Sequence, residues 1–365
     1  MGTCRICNDT SALIAGELAV CLPCIRRTPE GALPVAMAAH ARSRAVFGLP
    51  DRPPDNPEGV SCTLCVNECR IPEGGTGYCG VRENRKGSME GVSAGKGNLS
   101  WYQDPLPSNC VADWVCPGGT GEGYPEYARC PGPEEGCTNL AVFFHACTFN
   151  CLYCQNWQYR LKTFDPATTT PGSLADCVDR WTTCICYFGG DPAAQLPFTL
   201  QASRMAKEKA TGRILRFCWE TNGSMSERLL DEMVELALVS GGCLKFDLKA
   251  WDEGLHIALT GITNRKTLDN FARAAKELSR RPAPPLLVAS TLLVPGYIDE
   301  QEVASIAAFL TALDPEIPYT LLGFHPHFYL SDLPRTPATL ARKCLISARE
   351  AGLSRVKIGN DHLLA

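Results

Sequence analysis

Fifteen of the chain's 21 cysteines fall before Cys177, many of them two or three residues from the next. A disulfide scaffold is the usual meaning of so many thiols, but it belongs to short secreted chains too small to bury a core. This chain has 365 residues and an odd number of cysteines, and its opening, MGTCRICNDT, lacks the charged-then-apolar layout of an export signal. Metal ligation in the cytoplasm is the better account. Hydrophobic residues at 45% and charged residues at 20% suit a soluble globular protein, and no apolar run approaches a membrane span, so no membrane partner is expected. A formal net charge of −4 and a pI near 5.9 argue against a dominant nucleic-acid-binding surface.

The spacing divides the chain. Cys4-x2-Cys7 and Cys21-x2-Cys24 are paired knuckles, the ordinary spacing of a structural zinc site, so residues 1–30 read as a zinc-ribbon-like module. Residues 31–59 read as a linker, closing on the proline- and aspartate-rich GLPDRPPDNPEG. Residues 60–139 form a second cysteine-rich region. It carries Cys62-x2-Cys65-x3-Cys69-x9-Cys79 and then Cys110, Cys116, Cys130 and Cys137 among many glycines and prolines. Either set could hold zinc or an auxiliary iron–sulfur cluster, and spacing leaves their grouping open. Cys177, Cys184, Cys186, Cys218, Cys243 and Cys344 lie in apolar stretches and read as small core residues.

From residue 140 strands and helices alternate. Strand candidates are 140–144, 184–188, 214–219, 243–248, 286–294, 319–324 and 355–358. Helical spacing of apolar residues covers 227–238, 267–278, 302–313 and 337–351. Such alternation implies an α/β fold with a parallel sheet, doubly wound or curled toward a barrel.

The first of these strands runs into Cys147-x3-Cys151-x2-Cys154. Three thiolates on one short loop can take three corners of a 4Fe–4S cube and leave one iron open; the alternatives are zinc, or a conventional cluster completed by a distant cysteine. This loop resembles the signature of the radical S-adenosylmethionine (SAM) superfamily, with Tyr153 as the aromatic residue before the third cysteine. The resemblance implies that the open iron chelates the methionyl group of SAM and that Tyr153 lies beside the adenine. Gly189-Gly190-Asp191 is similar to the family's Gly-Gly-Glu motif for the methionyl ammonium, with aspartate in place of glutamate. Backbone carbonyls could also make that contact. Glu220-Thr221-Asn222 resembles the ribose-contacting motif of pyruvate formate-lyase activating enzymes. Phe246-Asp247-Leu248-Lys249, Val294-Pro295-Gly296-Tyr297 and Leu322-Gly323-Phe324-His325 resemble further motifs of that branch. By resemblance Lys249 neutralises the SAM carboxylate, while Asp247 and His325 complete a polar wall.

Residues 60–365 also resemble, with gaps, the uncharacterised relatives called the AmmeMemoRadiSam group; the first 59 residues and the Cys110–Cys137 insertion fall outside that pattern. The resemblance implies a partial (β/α)6 barrel as the core, residues 140–365, behind the N-terminal metal-binding modules. It implies a 4Fe–4S cluster and SAM as cofactors, a flavodoxin or ferredoxin as reductant, and hydrogen abstraction by a 5′-deoxyadenosyl radical. The target would be a glycine on a partner protein; a small molecule or RNA is the alternative, and a non-catalytic electron-transfer or scaffold protein is the rival outside enzymology.

Overall fold

A computed structural model describes all residues from Met1 to Ala365. Its centre is one eight-stranded sheet: β1 (Leu99–Pro105), β2 (Thr138–Phe144), β3 (Thr182–Phe188), β4 (Arg216–Thr221), β5 (Leu244–Asp247), β6 (Leu287–Leu293), β7 (Tyr319–Gly323) and β8 (Val356–Gly359), hydrogen-bonded in that order. β2 to β8 run parallel, and only β1 is antiparallel to its neighbour β2. The interior strands read as near-continuous apolar runs because both faces are covered. In β3, TTCICYF, every residue but Phe188 is buried.

Helices return the chain between parallel strands, including α3 (Leu196–Lys209), α4 (Glu227–Ser240), α5 (Glu253–Thr260), α6 (Arg265–Ala275), α7 (Glu300–Leu313) and α8 (Ala338–Glu350). Their ends follow local chemistry. Asp252 caps α5 by accepting from Leu255 N at 2.7 Å, and Asp299 caps α7 by accepting from Glu302 N at 3.0 Å. Each cap contributes on the order of 1 kcal/mol. Gly241, at φ +77°, stops α4 in the left-handed turn that glycine adopts without a steric cost. No helix is long and apolar enough to cross a membrane.

The edge strands β1 and β8 do not pair with each other, so the sheet is a partial barrel. The segment Leu106–Cys137 enters the gap from the end of β1. Trp114 Nε1 donates to Thr320 Oγ1 on β7 at 3.1 Å, and Thr320 Oγ1 donates to Val111 O at 2.9 Å. Lys357 of β8 meets Asp113 at 3.2 Å. Glu134, fully buried, grips Arg216 of β4 through two bonds of 2.8 and 2.7 Å and also accepts from the Thr183 hydroxyl.

Two boundaries differ from the sequence reading. Half of the expected linker is α2 (Pro29–Ala45), which follows α1 (Leu22–Arg27) and buries Ala32, Ala36, Ala39, His40, Ser43 and Arg44. Its buried face combines alanines and Ser43 with the polar His40 and Arg44, so it carries little of the large-apolar periodicity that marks a helix. The main sheet also begins before residue 140, because β1 lies in the cysteine-rich region.

The N-terminal module shares the barrel's core through Ala15, Leu18, Val20, Leu22 and Ile25. Tyr297 OH accepts from Ala15 N and donates to Val20 O, each at 3.0 Å. Arg26 bonds both carboxylate oxygens of Asp299, at 2.8 and 3.0 Å, and Glu302 at 2.8 Å. Gly296 is required here: its φ is +82°, and a Cβ would lie 2.2 Å from Leu13 O. The Val-Pro-Gly-Tyr turn therefore seats the module.

Candidate active site

A cleft opens at the C-terminal ends of β2 to β8, where parallel α/β folds gather functional loops. The loop after β2 brings Cys147, Cys151, Tyr153 and Cys154 to it. The turn after β3 brings Gly189, Gly190 and Asp191; the end of β4 brings Glu220 and Asn222; the end of β5 brings Asp247 and Lys249. Motifs separated by a hundred residues of sequence thus share one wall.

The cluster loop is held from several sides. Asn150 donates to Ser43 Oγ at 2.8 Å and meets His40 Nδ1 at 3.0 Å, while His40 Nε2 meets Ala258 O at 3.0 Å. Arg160 Nη2 donates to Asn150 Oδ1 at 3.1 Å. Asn67, from the cysteine-rich region, donates to Thr148 O at 2.8 Å, and Thr148 Oγ1 accepts from Asn222 Nδ2 at 2.7 Å. His145 is a structural residue: it is buried and hydrogen-bonds Asn98 at 2.8 Å and Ser100 at 3.3 Å.

The donor chemistry fits a metal cluster. Burial, then the charges of Asp191 and Cys151, push the Cys147 thiol well above its ordinary value. Burial pushes Cys151 up to about 11 against the pull of Lys249. Thiols this reluctant to ionise become thiolates when cations bind them. Three thiols on one short loop that lines the cleft are the donor set such a cluster needs.

Around this loop the polar side chains divide by task. Asp191 is a clasp. Its buried carboxylate accepts from Ala193 N at 2.7 Å, Asn222 N at 2.6 Å and the Thr221 hydroxyl at 3.1 Å, joining the loops after β3 and β4. Both oxygens are engaged in this clasp. Gly189 and Gly190, at φ +67° and +45°, come close to Phe143 and to the Ala146 carbonyl; a Cβ on either would lie 2.2 Å away. Lys249 pairs with Asp247 beneath the Tyr153 ring, 6.0 Å from its centroid. Burial lowers the Lys249 pKa, but Asp247, Cys151 and Tyr153 together raise it and the net shift is upward. Glu220 faces inward as well: its Oε1 lies 3.0 Å from Lys245 Nζ and 3.4 Å from Cys110 Sγ.

His325 is a correction. β7 ends at Gly323, Phe324 N donates to Thr336 Oγ1 at 2.7 Å, and the chain turns outward. His325 is exposed, with Nδ1 against Pro326 O at 3.1 Å, and does not line the cleft. Asn360, at φ +52° just after β8, and Ser290 of β6 line it instead. Both were missed in the sequence. The Gly359-Asn360 turn after a strand and the inward register of Ser290 are the signals that point to them.

The accessory thiols sort into three groups. Cys4, Cys7, Cys21 and Cys24 have their sulfurs all within 4.8 Å, with Cys7 and Cys21 at 3.8 Å. That is the edge length of a tetrahedron of sulfurs about 2.3 Å from one zinc ion. Cys62, Cys69 and Cys79 are drawn together by the backbone: Cys62 N donates to Cys69 O at 2.8 Å, and the N–H of Tyr78, beside Cys79, donates to Cys69 Sγ at 3.4 Å. This group abuts the cluster loop through Asn67. Cys110, Cys116, Cys130 and Cys137, whose grouping the spacing leaves open, divide between two places. Cys110 and Cys116 point into the barrel lumen, whereas Cys130 turns to the carbonyls of Gly132 and Pro133 and Cys137 meets Arg129. Cys184, Cys186, Cys218 and Cys243, read as core fillers, line that lumen too.

Residues 141–310 match the Radical SAM superfamily. The chain is 26% identical over 310 residues to the uncharacterized protein MJ0808 of Methanocaldococcus jannaschii, covering 82% of this chain and 81% of that one. It is 31% identical over 138 residues to the isethionate sulfite-lyase activating enzyme of Desulfovibrio desulfuricans, covering 38% of this chain and 40% of that relative. Among solved structures, a domain of pyruvate-formate lyase-activating enzyme from Bacteroides vulgatus aligns with a TM-score of 0.39 at 21% identity, over 48% of this chain and 98% of that domain.

Proposed function

We propose that this protein, whose residues 141–310 match the Radical SAM superfamily, generates a radical from SAM and uses it to take a hydrogen atom from a glycine of a partner protein. The observation that carries the reading is the convergence of the three-thiol loop, the Gly-Gly-Asp turn, Glu220 to Asn222 and Lys249 on one cleft. The likeness to activating enzymes supports the glycine target.

Cys147, Cys151 and Cys154 would hold the 4Fe–4S cluster. When bound, the cluster supplies the electron that splits SAM into methionine and a 5′-deoxyadenosyl radical. The chain's own residues bind and orient. The Gly-Gly carbonyls accept from the methionyl ammonium, Lys249 attracts the carboxylate, Tyr153 packs beside the adenine, and Asn222 ties the ribose side of the cleft to the cluster loop. Depth excludes water from the radical. A flavodoxin or ferredoxin would supply the electron; the Cys62–Cys79 group abuts the cluster loop through Asn67, and the N-terminal quartet would hold zinc.

One observation favours a second reading, a small-molecule substrate. Val111 of the inserted segment lines the cleft, and the segment fills the barrel's open side through Trp114 and Asp113. The test supplies fractionated anaerobic lysate to the reduced enzyme with SAM and looks for a stable protein radical by electron paramagnetic resonance. A signal whose splitting changes on glycine deuteration supports the glycine target. Stoichiometric 5′-deoxyadenosine with a purified metabolite, and no protein radical in any fraction, moves the assignment to the small molecule.

A further inference from the structure

Below the cleft, toward the N-terminal ends of the strands, six of the 21 cysteines face one another inside the barrel. The arrangement follows from register. Cys218 of β4 pairs directly with Cys186 of β3, and Trp219 pairs with Leu244 of β5, so Cys243 continues the same row. Cys184 lies two residues earlier on the same face of β3, its sulfur 3.6 Å from that of Cys218. The inserted segment closes the lumen from the other side and contributes Cys110 and Cys116. Amid them stands Lys245, its side chain 3% exposed, with Nζ 3.0 Å from Cys110 Sγ, 3.0 Å from Cys186 Sγ and 3.0 Å from Glu220 Oε1.

Thiol packing alone accounts poorly for this lumen. A buried cysteine serves as a small hydrophobe, but a hydrophobic filling has no use for a buried ammonium, whose desolvation costs several kcal/mol unless anionic partners offset it. Here two of its three partners are thiols. The geometry points to a second iron–sulfur cluster in the barrel lumen, held by thiolates of Cys186, Cys218, Cys243 or Cys184 from the strands and Cys110 or Cys116 from the inserted segment, with Lys245 balancing its negative charge. Cys184 and Cys218 of neighbouring strands lie 3.6 Å apart, and Cys110 and Cys186 each lie 3.0 Å from Lys245 Nζ, so thiols of the sheet and of the inserted segment face one another across the lumen. This inference needs no particular substrate and stands apart from the glycine reading.

The test uses the full chain, reconstituted anaerobically with iron and sulfide, and a C186S/C218S variant that leaves Cys147, Cys151 and Cys154 in place. The variant should lose about two to four irons per chain and an equal amount of acid-labile sulfide, while keeping its zinc and the resonance signal that SAM perturbs. K245M guards against misfolding because it retains all six thiols. It should lower the midpoint potential of one cluster, the one absent from C186S/C218S, and leave the SAM-responsive cluster unchanged. Unaltered iron and sulfide in folded C186S/C218S, loss of zinc in place of iron, or no cluster responding to K245M would overturn the proposal.

Discussion

Asp191 shows how one substituted residue changes the job at its position. Shorter than glutamate, it reaches backbone and hydroxyl donors of its own and the next loop. Asp191→Ala leaves those buried donors unpaired, at a cost of about 1–3 kcal/mol, and should loosen both loops that face SAM. We expect calorimetry to show SAM affinity reduced roughly tenfold or more in D191A and less in D191N, which keeps one acceptor. Wild-type affinity in both, with unchanged thermal midpoints, contradicts the clasp. His40 is a second residue acting through a neighbour. Burial drives its pKa from 6.5 down to about 4, and His256 behaves alike. Both stay neutral in the fold and take protons when unfolded. Stability is therefore lost as pH falls from about 6.5 to 4, by up to about 3 kcal/mol for each histidine. H40Q should flatten the fall in thermal midpoint over that window by roughly half, and an unchanged slope would show that His40 does not contribute to it.

At the scale of elements, the inserted segment and the N-terminal module are both clamped by ion pairs, of different worth. Arg26 and Asp299 are partly exposed, and the buried Glu302 also accepts from Trp251 N and Asp252 N, so losing Arg26 should cost little more than about 1 kcal/mol. Glu134 with Arg216 is sealed from water, and Glu134→Gln strands a buried guanidinium at about 3–5 kcal/mol. Burial raises the Glu134 pKa, but Arg216 outweighs it and the net shift is downward. Its stabilisation is therefore complete above the ordinary carboxylate value and is lost as pH falls through the lowered one. Denaturant titration of E134Q and R26A distinguishes the two clamps; equal losses would mean that the inserted segment is not anchored through Glu134. Removing zinc should act on the module rather than on the sheet. A C4S/C7S variant should lose one zinc per chain and expose the 1–30 segment to proteolysis, with the barrel remaining resistant.

Legibility followed the distance over which each feature is encoded. All seven strand candidates lie within two residues of β2 to β8, and the three-thiol loop was legible because its cysteines are seven residues apart at most. The lumen thiols were not. A sheet covered on both faces has no apolar–polar alternation to show which way Cys184 or Cys218 points, and the partnership of Cys110 with Lys245 exists only once the inserted segment has folded back across more than a hundred residues. α2 escaped notice because alanines and polar residues, not large apolar ones, form its buried side. His325 was misplaced because the turn at Phe324 depends on Thr336, which sequence order does not connect to it. Across the whole molecule, the account rests on one loop cleaving one cosubstrate. The direct measurement is the yield of 5′-deoxyadenosine and methionine from SAM under anaerobic reduction, in the reconstituted wild type and in C147A, C151A and C154A. The account predicts cleavage by the wild type and near-complete loss in each variant, with the N-terminal zinc retained. Cleavage at the wild-type rate in all three would contradict it.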